Sequence, residues 1–99
     1  MAQVADSSCQ LVECMLPGVT EEQARALDRR VRGGLPAMPG VSYLGALLML
    51  DDEVVFCLFA GPLEDVRAVS EQAAVRFERI VPCRVIGLLA PKPDGPSAI

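Results

Sequence analysis

Two long apolar segments lie almost end to end in the middle of this 99-residue chain, and they constrain its fold more than any other feature. They span 41–50 and 53–60, and only Asp51 and Asp52 separate them. Apolar runs on either side of a short polar turn are typical of a β-hairpin. Neither run approaches the roughly 20 residues that a membrane-spanning helix needs. The sequence therefore predicts two antiparallel strands and no membrane partner.

The segment before the hairpin predicts a strand followed by a helix. An apolar run over 11–16 has the composition of a strand. Thr20 and Gln23 then form a capping-box pattern, which marks the start of a helix. Apolar residues follow at helical spacing until Gly33 and Gly34, which end the helix.

The segment after the hairpin predicts a second helix and a last strand. The helix begins at Leu63, and the strand covers 79–89. Pro82 lies inside this strand and has no amide hydrogen to donate, which favours a position at the edge of a sheet. The order strand, helix, strand, strand, helix, strand predicts an α+β fold. We expect a ferredoxin-like βαββαβ sandwich, a four-stranded antiparallel sheet with two helices on one face.

A weak internal repeat agrees with this fold. A shift of 43 positions aligns 12–14 with 55–57 and Gly18 with Gly61, as expected for two related halves. The predicted organisation is a flexible N-terminus (1–9), one ferredoxin-like domain (10–89) and a flexible C-terminal tail (90–99).

Charge and composition argue against several classes of function. Nine basic and thirteen acidic residues give a net charge of −4, the wrong sign for a nucleic-acid-binding protein. The chain has no His, which removes the commonest metal ligand and general base. We expect no resident cofactor on these grounds. The start of the chain lacks the pattern of a signal peptide.

The four cysteines show no spacing that is typical of a metal ribbon or a redox motif. Cys14, Cys57 and Cys83 are predicted to point into the core, where a free cysteine behaves as a small apolar residue. Cys9 precedes the first predicted strand and is expected at the surface.

Alternation along the strands predicts which side chains face away from the helices. Glu13 is the one charged residue within the first predicted strand, so its side of the sheet should be the uncovered one. The internal repeat extends this assignment to the strands predicted over 53–60 and 79–89, and pairing across the hairpin extends it to 41–50. The residues predicted on the uncovered side are Leu11, Glu13, Met15, Tyr43, Gly45, Leu47, Met49, Val54, Phe56, Leu58, Arg84 and Ile86. Cys83 and Val85 are predicted on the covered side.

So many apolar side chains form a larger patch than monomers usually expose. We therefore expect a homodimer, with sheet packed against sheet about a twofold axis. The cavity between the sheets would bind a small, largely apolar ligand. Its predicted lining is Met15, Leu47, Met49, Phe56, Leu58 and Ile86.

Two other functions stay open. The first is a cofactor-independent cyclase, isomerase or monooxygenase of the dimeric α+β barrel type. In that hypothesis Glu13 moves a proton, and Arg84 or Tyr43 holds a developing oxyanion. A simple interface ion pair between Glu13 and Arg84 is the alternative interpretation of the same residues. The second function is metal binding through Glu13, Asp51, Asp52 or the cysteine thiolates.

Three segments carry a resemblance to known proteins: VECMLPGVTEEQ (12–23), VSYLGALLMLDDEVVFCLFAGP (41–62) and FERIV (77–81). They resemble a family of small bacterial, largely actinobacterial, domains of unknown function whose best-known members are described as nickel-binding proteins. The resemblance covers about residues 10 to 86. It implies a ferredoxin-like fold, a dimer, a cytoplasmic setting and nickel binding. The implied nickel site relies largely on imidazole ligands, which this sequence does not contain.

Overall fold

A computed structural model of the chain describes residues 9–34 and 38–86. Of the two end segments that the sequence predicts to be flexible, 1–9 and 90–99, only Cys9 falls within these residues. The described part forms four strands and two helices in the predicted order. They are β1 (Cys9–Met15), α1 (Glu21–Gly34), β2 (Ser42–Met49), β3 (Val54–Ala60), α2 (Leu63–Gln72) and β4 (Arg79–Cys83).

The strands form one antiparallel sheet in the order β2-β3-β1-β4. Both helices pack against the same face of this sheet, which confirms the predicted ferredoxin-like α+β fold. The edge strands are β2 and β4. Pro82 therefore lies in an edge strand, as its missing amide hydrogen predicts. Among the described residues, no helix is long and apolar enough to cross a membrane.

The core lies between the sheet and the two helices. Val12 and Cys14 of β1 and Val55, Cys57 and Phe59 of β3 are fully buried there. They pack against apolar side chains of the helices, namely Ala24, Leu27, Val31, Val66 and Val69. The predicted alternation of β1 and β3 is therefore confirmed. Full burial of a side chain such as Phe59 stabilises the fold by roughly 1.5–3 kcal/mol.

The start of α1 has the predicted capping box. The backbone N–H of Gln23 donates to the Thr20 hydroxyl oxygen at 3.1 Å, and the backbone N–H of Thr20 donates to Gln23 Oε1 at 2.9 Å. These two bonds satisfy amide groups that the first helical turn leaves without partners. The helix therefore begins at a position that local sequence specifies.

A bulge in β2 overturns the predicted position of Tyr43. Tyr43 pairs with Phe59, whereas Gly45 pairs with Leu58, so one extra residue, Leu44, lies between them. Gly45 adopts a φ of 137° at this point, a backbone conformation that glycine readily reaches. The extra residue reverses the alternation. Tyr43 consequently points to the helix side, while Gly45 and the residues after it keep the predicted side.

The register of β4 also differs from the prediction. Arg79 lies opposite Glu13, and Cys83 lies opposite Cys9. Ile80 packs against the core, so its odd-numbered neighbours point to the opposite face of the sheet. An apolar side chain close to the start of the strand thus decides the orientation of the whole strand.

The predictions for residues 83–86 are wrong as a result. Cys83 lies on the uncovered side of the sheet, since it pairs with Cys9 rather than pointing into the core. Arg84, Val85 and Ile86 do not lie on the sheet, because β4 ends at Cys83. Val81 lies on the uncovered side of the sheet, opposite Leu11, where the sequence predicts Arg84 and Ile86.

Candidate functional site

The sheet surface opposite the helices arranges its side chains in rows, because paired residues of neighbouring strands lie side by side. The register gives four rows, which together we call the open face. They are Met49, Val54 and Met15; Leu47, Phe56, Glu13 and Arg79; Gly45, Leu58, Leu11 and Val81; and Ser42, Ala60, Cys9 and Cys83.

Most of the open face is apolar and a large part of it is exposed. Leu47 is 62% exposed, Met15 52% and Met49 43%. Phe56 and Leu58 lie among them and are half-buried. A solvated face of an antiparallel sheet normally carries polar side chains. This face instead has the composition of a surface that another molecule covers. Of the predicted ligand-contacting residues, all except Ile86 lie here.

One ion pair interrupts the apolar surface. Arg79 Nε donates to Glu13 Oε1 at 2.6 Å. The Glu13 side chain is only 17% exposed, whereas that of Arg79 is 70% exposed. The backbone N–H of Glu78 also donates to the Glu13 carbonyl oxygen at 2.8 Å, which fixes the start of β4 beside β1. The carboxylate is therefore enclosed next to Phe56, and the guanidinium reaches solvent.

The partner of Glu13 is Arg79, not the predicted Arg84. The sequence contains a partial signal for it, namely an apolar residue, Ile80, directly after the arginine, which becomes informative once Ile80 is known to face the core. If Ile80 faces the core, its neighbour Arg79 must face the same side as Glu13. The error came from extending the internal repeat to a strand that the repeat does not describe.

Tyr43 belongs to a separate cluster on the helix side of the sheet. Its hydroxyl donates to Asp28 Oδ1 at 2.6 Å, and Arg32 Nε donates to Asp28 Oδ2 at 3.0 Å. The Arg32 guanidinium lies 4.9 Å from the centre of the Tyr43 ring. The ring of Phe59 packs on Tyr43 with centroids 5.1 Å apart. Tyr43 therefore fixes α1 to β2 and lies on the opposite side of the sheet from Glu13.

The electrostatics of this cluster follow from its contacts. Burial, and then the hydrogen bond to Asp28, raise the pKa of Tyr43 well above its ordinary value. Burial alone would also raise the pKa of Asp28. The hydrogen bonds from Tyr43 and Arg32 outweigh that effect and leave the pKa of Asp28 below its ordinary value. The phenol is therefore neutral and the carboxylate charged at neutral pH.

A groove of about 700 Å³ runs beside this cluster, between α1 and β2. Its charged lining consists of two pairs along α1, Glu21 with Arg25 and Asp28 with Arg32. Because these groups neutralise each other and are typical of a helix surface, we do not assign the groove a ligand.

The cysteines fall into two pairs. Cys14 and Cys57 are fully buried in the core, as predicted. A hydrogen bond to Cys57, together with burial, raises the pKa of Cys14. Cys9 is buried, so its predicted position at the surface is wrong, and Cys83 is half-buried. Burial and the neighbouring Cys9 raise the pKa of Cys83, and all four thiols are free.

The described residues do not fit the nickel site that the family resemblance implies. Within 9–34 and 38–86, no group of three or more His, Cys, Asp or Glu residues is placed to hold a metal ion. Glu13 is paired with Arg79, and Asp51 and Asp52 are exposed in the turn between β2 and β3. Nickel in proteins is held by several ligands, with imidazole and other nitrogen or oxygen donors suited to it, and the described residues do not bring such a group together.

Comparisons with known proteins support the fold. No protein-family model matches the chain, and no curated protein matches it. The chain is similar to the crystal structure of SCO4226 from Streptomyces coelicolor A3(2), with a TM-score of 0.62 and 21% identity. The match covers 84% of this chain and 100% of that chain. It shows a shared fold.

Proposed function

We propose that this protein is a homodimer that binds a small, largely apolar molecule between the open faces of its two sheets. The exposed apolar side chains of the open face carry this proposal, above all Leu47, Met15 and Met49. Burying each of them contributes roughly 1.5–3 kcal/mol. The open face of a second copy of the chain would cover these side chains with an equally apolar surface.

The two edges of the sheet are poorly suited to association. A bulge at Gly45 interrupts β2. The other edge, β4, has five residues, and its Pro82 lacks an amide hydrogen. Both features are common ways of preventing strand-to-strand pairing between molecules. Packing of face against face is therefore favoured over extension of the sheet.

The open face also has features that suit a ligand. Gly45 lies beside Leu58 in its row and has no side chain, which leaves room above the sheet. Met15 and Met49 are flexible and polarisable, so they adapt to an irregular apolar shape. Arg79 provides exposed N–H donors at the margin of the face. We propose a ligand with an apolar body and one oxygen-bearing end that accepts from this guanidinium.

An enzymatic role is a second candidate, supported by the Glu13–Arg79 pair. In a cofactor-independent cyclase, isomerase or monooxygenase, Glu13 would move the proton and Arg79 would hold the oxyanion. Arg79 replaces Arg84 in this proposal, and Tyr43 takes no part. If a small molecule co-purifies with the unmodified protein, a Glu13→Gln variant that binds this molecule but no longer converts it would favour the enzyme.

Sedimentation velocity and native mass spectrometry at tens of micromolar test the dimer. We expect the unmodified protein to be dimeric and Leu47→Glu to be monomeric, because the new charge replaces the most exposed apolar side chain of the open face. Leu50→Glu is the matched control. Leu50 is also 62% exposed but lies in the turn after β2, so this variant should stay dimeric. A monomeric parent protein, or equal behaviour of the two variants, contradicts the proposal.

The fluorescence of anilinonaphthalene sulfonate tests the cavity separately. This probe has apolar rings and one anionic group. We expect it to bind the dimer in a saturable way and to lose affinity in Arg79→Gln. Intact dimers without saturable binding would show a plain interface instead of a ligand site.

A further inference from the structure

Cys9 and Cys83 lie directly opposite each other in the antiparallel pair of β1 and β4. Both thiols are free. Opposite residues of antiparallel strands have Cα atoms roughly 4.5–5.5 Å apart. This interval lies inside the range of roughly 4.4–6.8 Å that disulfides span. The register therefore places the Cα atoms of the two residues within the range that a disulfide spans.

The other two cysteines share a hydrogen bond but are not directly opposite each other in the sheet. Cys14 pairs with Val55, and Cys57 pairs with Val12, so these two thiols are diagonal rather than opposite. Both are also fully buried in the core. Oxidants in solution cannot reach them without unfolding. Cys9 and Cys83 are thus the aligned pair.

The position of Cys83 makes the aligned pair accessible. It is half-buried and ends β4, an edge strand with β1 as its neighbour in the sheet. The same strand is short, and Pro82 cannot donate to the ladder. An oxidant reaches a thiol on such a strand when the end of the strand opens. This local opening costs less free energy than global unfolding.

We propose that Cys9 and Cys83 form a reversible disulfide that fastens β4 to β1 under oxidising conditions. The oxidant is a low-molecular-weight disulfide. The Cys83 thiolate attacks one of its sulfur atoms and releases the first small thiol. The Cys9 thiolate then attacks Cys83 Sγ, closes the protein disulfide and releases the second. Two protein thiols lose two electrons and two protons, and one small disulfide becomes two thiols.

The expected consequences are stabilisation and easy reversal. The bond closes a loop that contains nearly the whole domain, and longer loops gain more from closure. The Cβ atoms of opposite residues are roughly 4.5–5.5 Å apart, against 3.5–4.5 Å in a disulfide. The bond is therefore strained, and strained disulfides are the ones that reducing agents open readily. Because Arg79 lies on the same strand, the bond also secures it beside Glu13. The two thiols lie in the row of the open face farthest from Met15 and Met49, and the bond forms within one chain, so the inference needs neither the proposed dimer nor its ligand.

Peptide mapping of the oxidised full-length protein tests the proposal directly. After treatment with oxidised glutathione in mildly alkaline buffer, we expect the protein to lose two hydrogen atoms and to migrate as a single chain on a non-reducing gel. Cleavage after Arg and Glu separates all four cysteines, since Glu13 lies between Cys9 and Cys14. The peptide 80–84 should be linked to a peptide that ends at Glu13.

Thermal unfolding and two variants complete the test. We expect oxidation to raise the unfolding midpoint by more than about 5 °C, and dithiothreitol to reverse the rise. Cys9→Ser and Cys83→Ser should each abolish both effects. A Cys14–Cys57 disulfide, a covalent dimer through Cys83, a stable mixed disulfide with glutathione or unchanged thiols would each overturn the proposal. The mapping uses the unmodified chain, so it decides the matter even if a variant fails to fold.

Discussion

Tyr43 is a single side chain whose contacts connect two elements of the fold. Its ring packs on Phe59, its hydroxyl donates to Asp28, and Arg32 lies over its face. These contacts join β2 to α1 at the edge of the core. Because the chain has one Tyr and no Trp, the optical signal of this residue reports on that junction alone.

We predict that Tyr43 ionises at higher pH in the folded protein than in the unfolded chain. Burial and the neighbouring Asp28 carboxylate oppose the phenolate and raise the pKa of Tyr43 above the ordinary value of about 10. The contribution of Tyr43 to stability is therefore complete below about pH 10 and is lost as the pH rises through the folded pKa. The ultraviolet absorbance of the phenolate, followed against pH, measures this shift.

The Asp28→Asn variant is the control for this titration. It removes the opposing charge but keeps the burial, so the pKa of Tyr43 should fall towards its ordinary value. Identical titration curves for the folded protein and the urea-unfolded chain would contradict the prediction.

Among the elements, β2 is the one whose geometry depends on a single backbone position. Gly45 has a φ of 137°, and a Cβ built there meets no other atom within 4 Å. Space is therefore not the constraint at this position. The constraint is the backbone conformation, which residues with a Cβ adopt at a free-energy cost of about 1–3 kcal/mol. The bulge then determines that residues on either side of it point to opposite faces.

We predict that Gly45→Ala lowers the free energy of unfolding by about 1–3 kcal/mol. It should also change the fluorescence of Tyr43, because a bulge that moves or disappears removes the contact with Asp28. Urea denaturation measures the first effect. Gly33→Ala is the matched control. Gly33 lies in α1, its added Cβ also meets nothing within 4 Å, and alanine there should stabilise the helix by about 0.5–1 kcal/mol. Equal effects of the two substitutions would show that the bulge carries no strain.

At the scale of the whole molecule, the two faces of the sheet differ in what they bury and what they expose. The helix side buries the core, with Phe59 and Val31 among its fully buried side chains. The open face places apolar residues around a single ion pair, Glu13–Arg79. Interrupted edges on both sides leave this face as the surface through which we propose that two copies associate.

We predict that the thermal unfolding midpoint rises with protein concentration. Dissociation accompanies the unfolding of a dimer, so mass action stabilises the folded form at high concentration. Differential scanning calorimetry over a hundredfold range of concentration measures the effect. The Leu47→Glu variant should unfold at a midpoint that does not depend on concentration. A constant midpoint in the parent protein would contradict dimer formation in that range.

Local pattern by itself determined the order of elements, the capping box at Thr20 and the sides of β1 and β3. These features depend on residues close in sequence or on the regular alternation of one strand. The hairpin register, with Leu47 opposite Phe56 and Met49 opposite Val54, was equally predictable because a short turn fixes it.

Tertiary structure decided the rest. The side on which Tyr43 lies depends on a bulge that the hairpin pattern does not show. The partner of Glu13 depends on how β4 docks, and the need to bury Ile80 sets that docking. The Cys9–Cys83 pair arises from the same docking. Each of these features depends on which residues that are distant in sequence become neighbours in the fold. The alternation of side chains along a single strand does not contain that information.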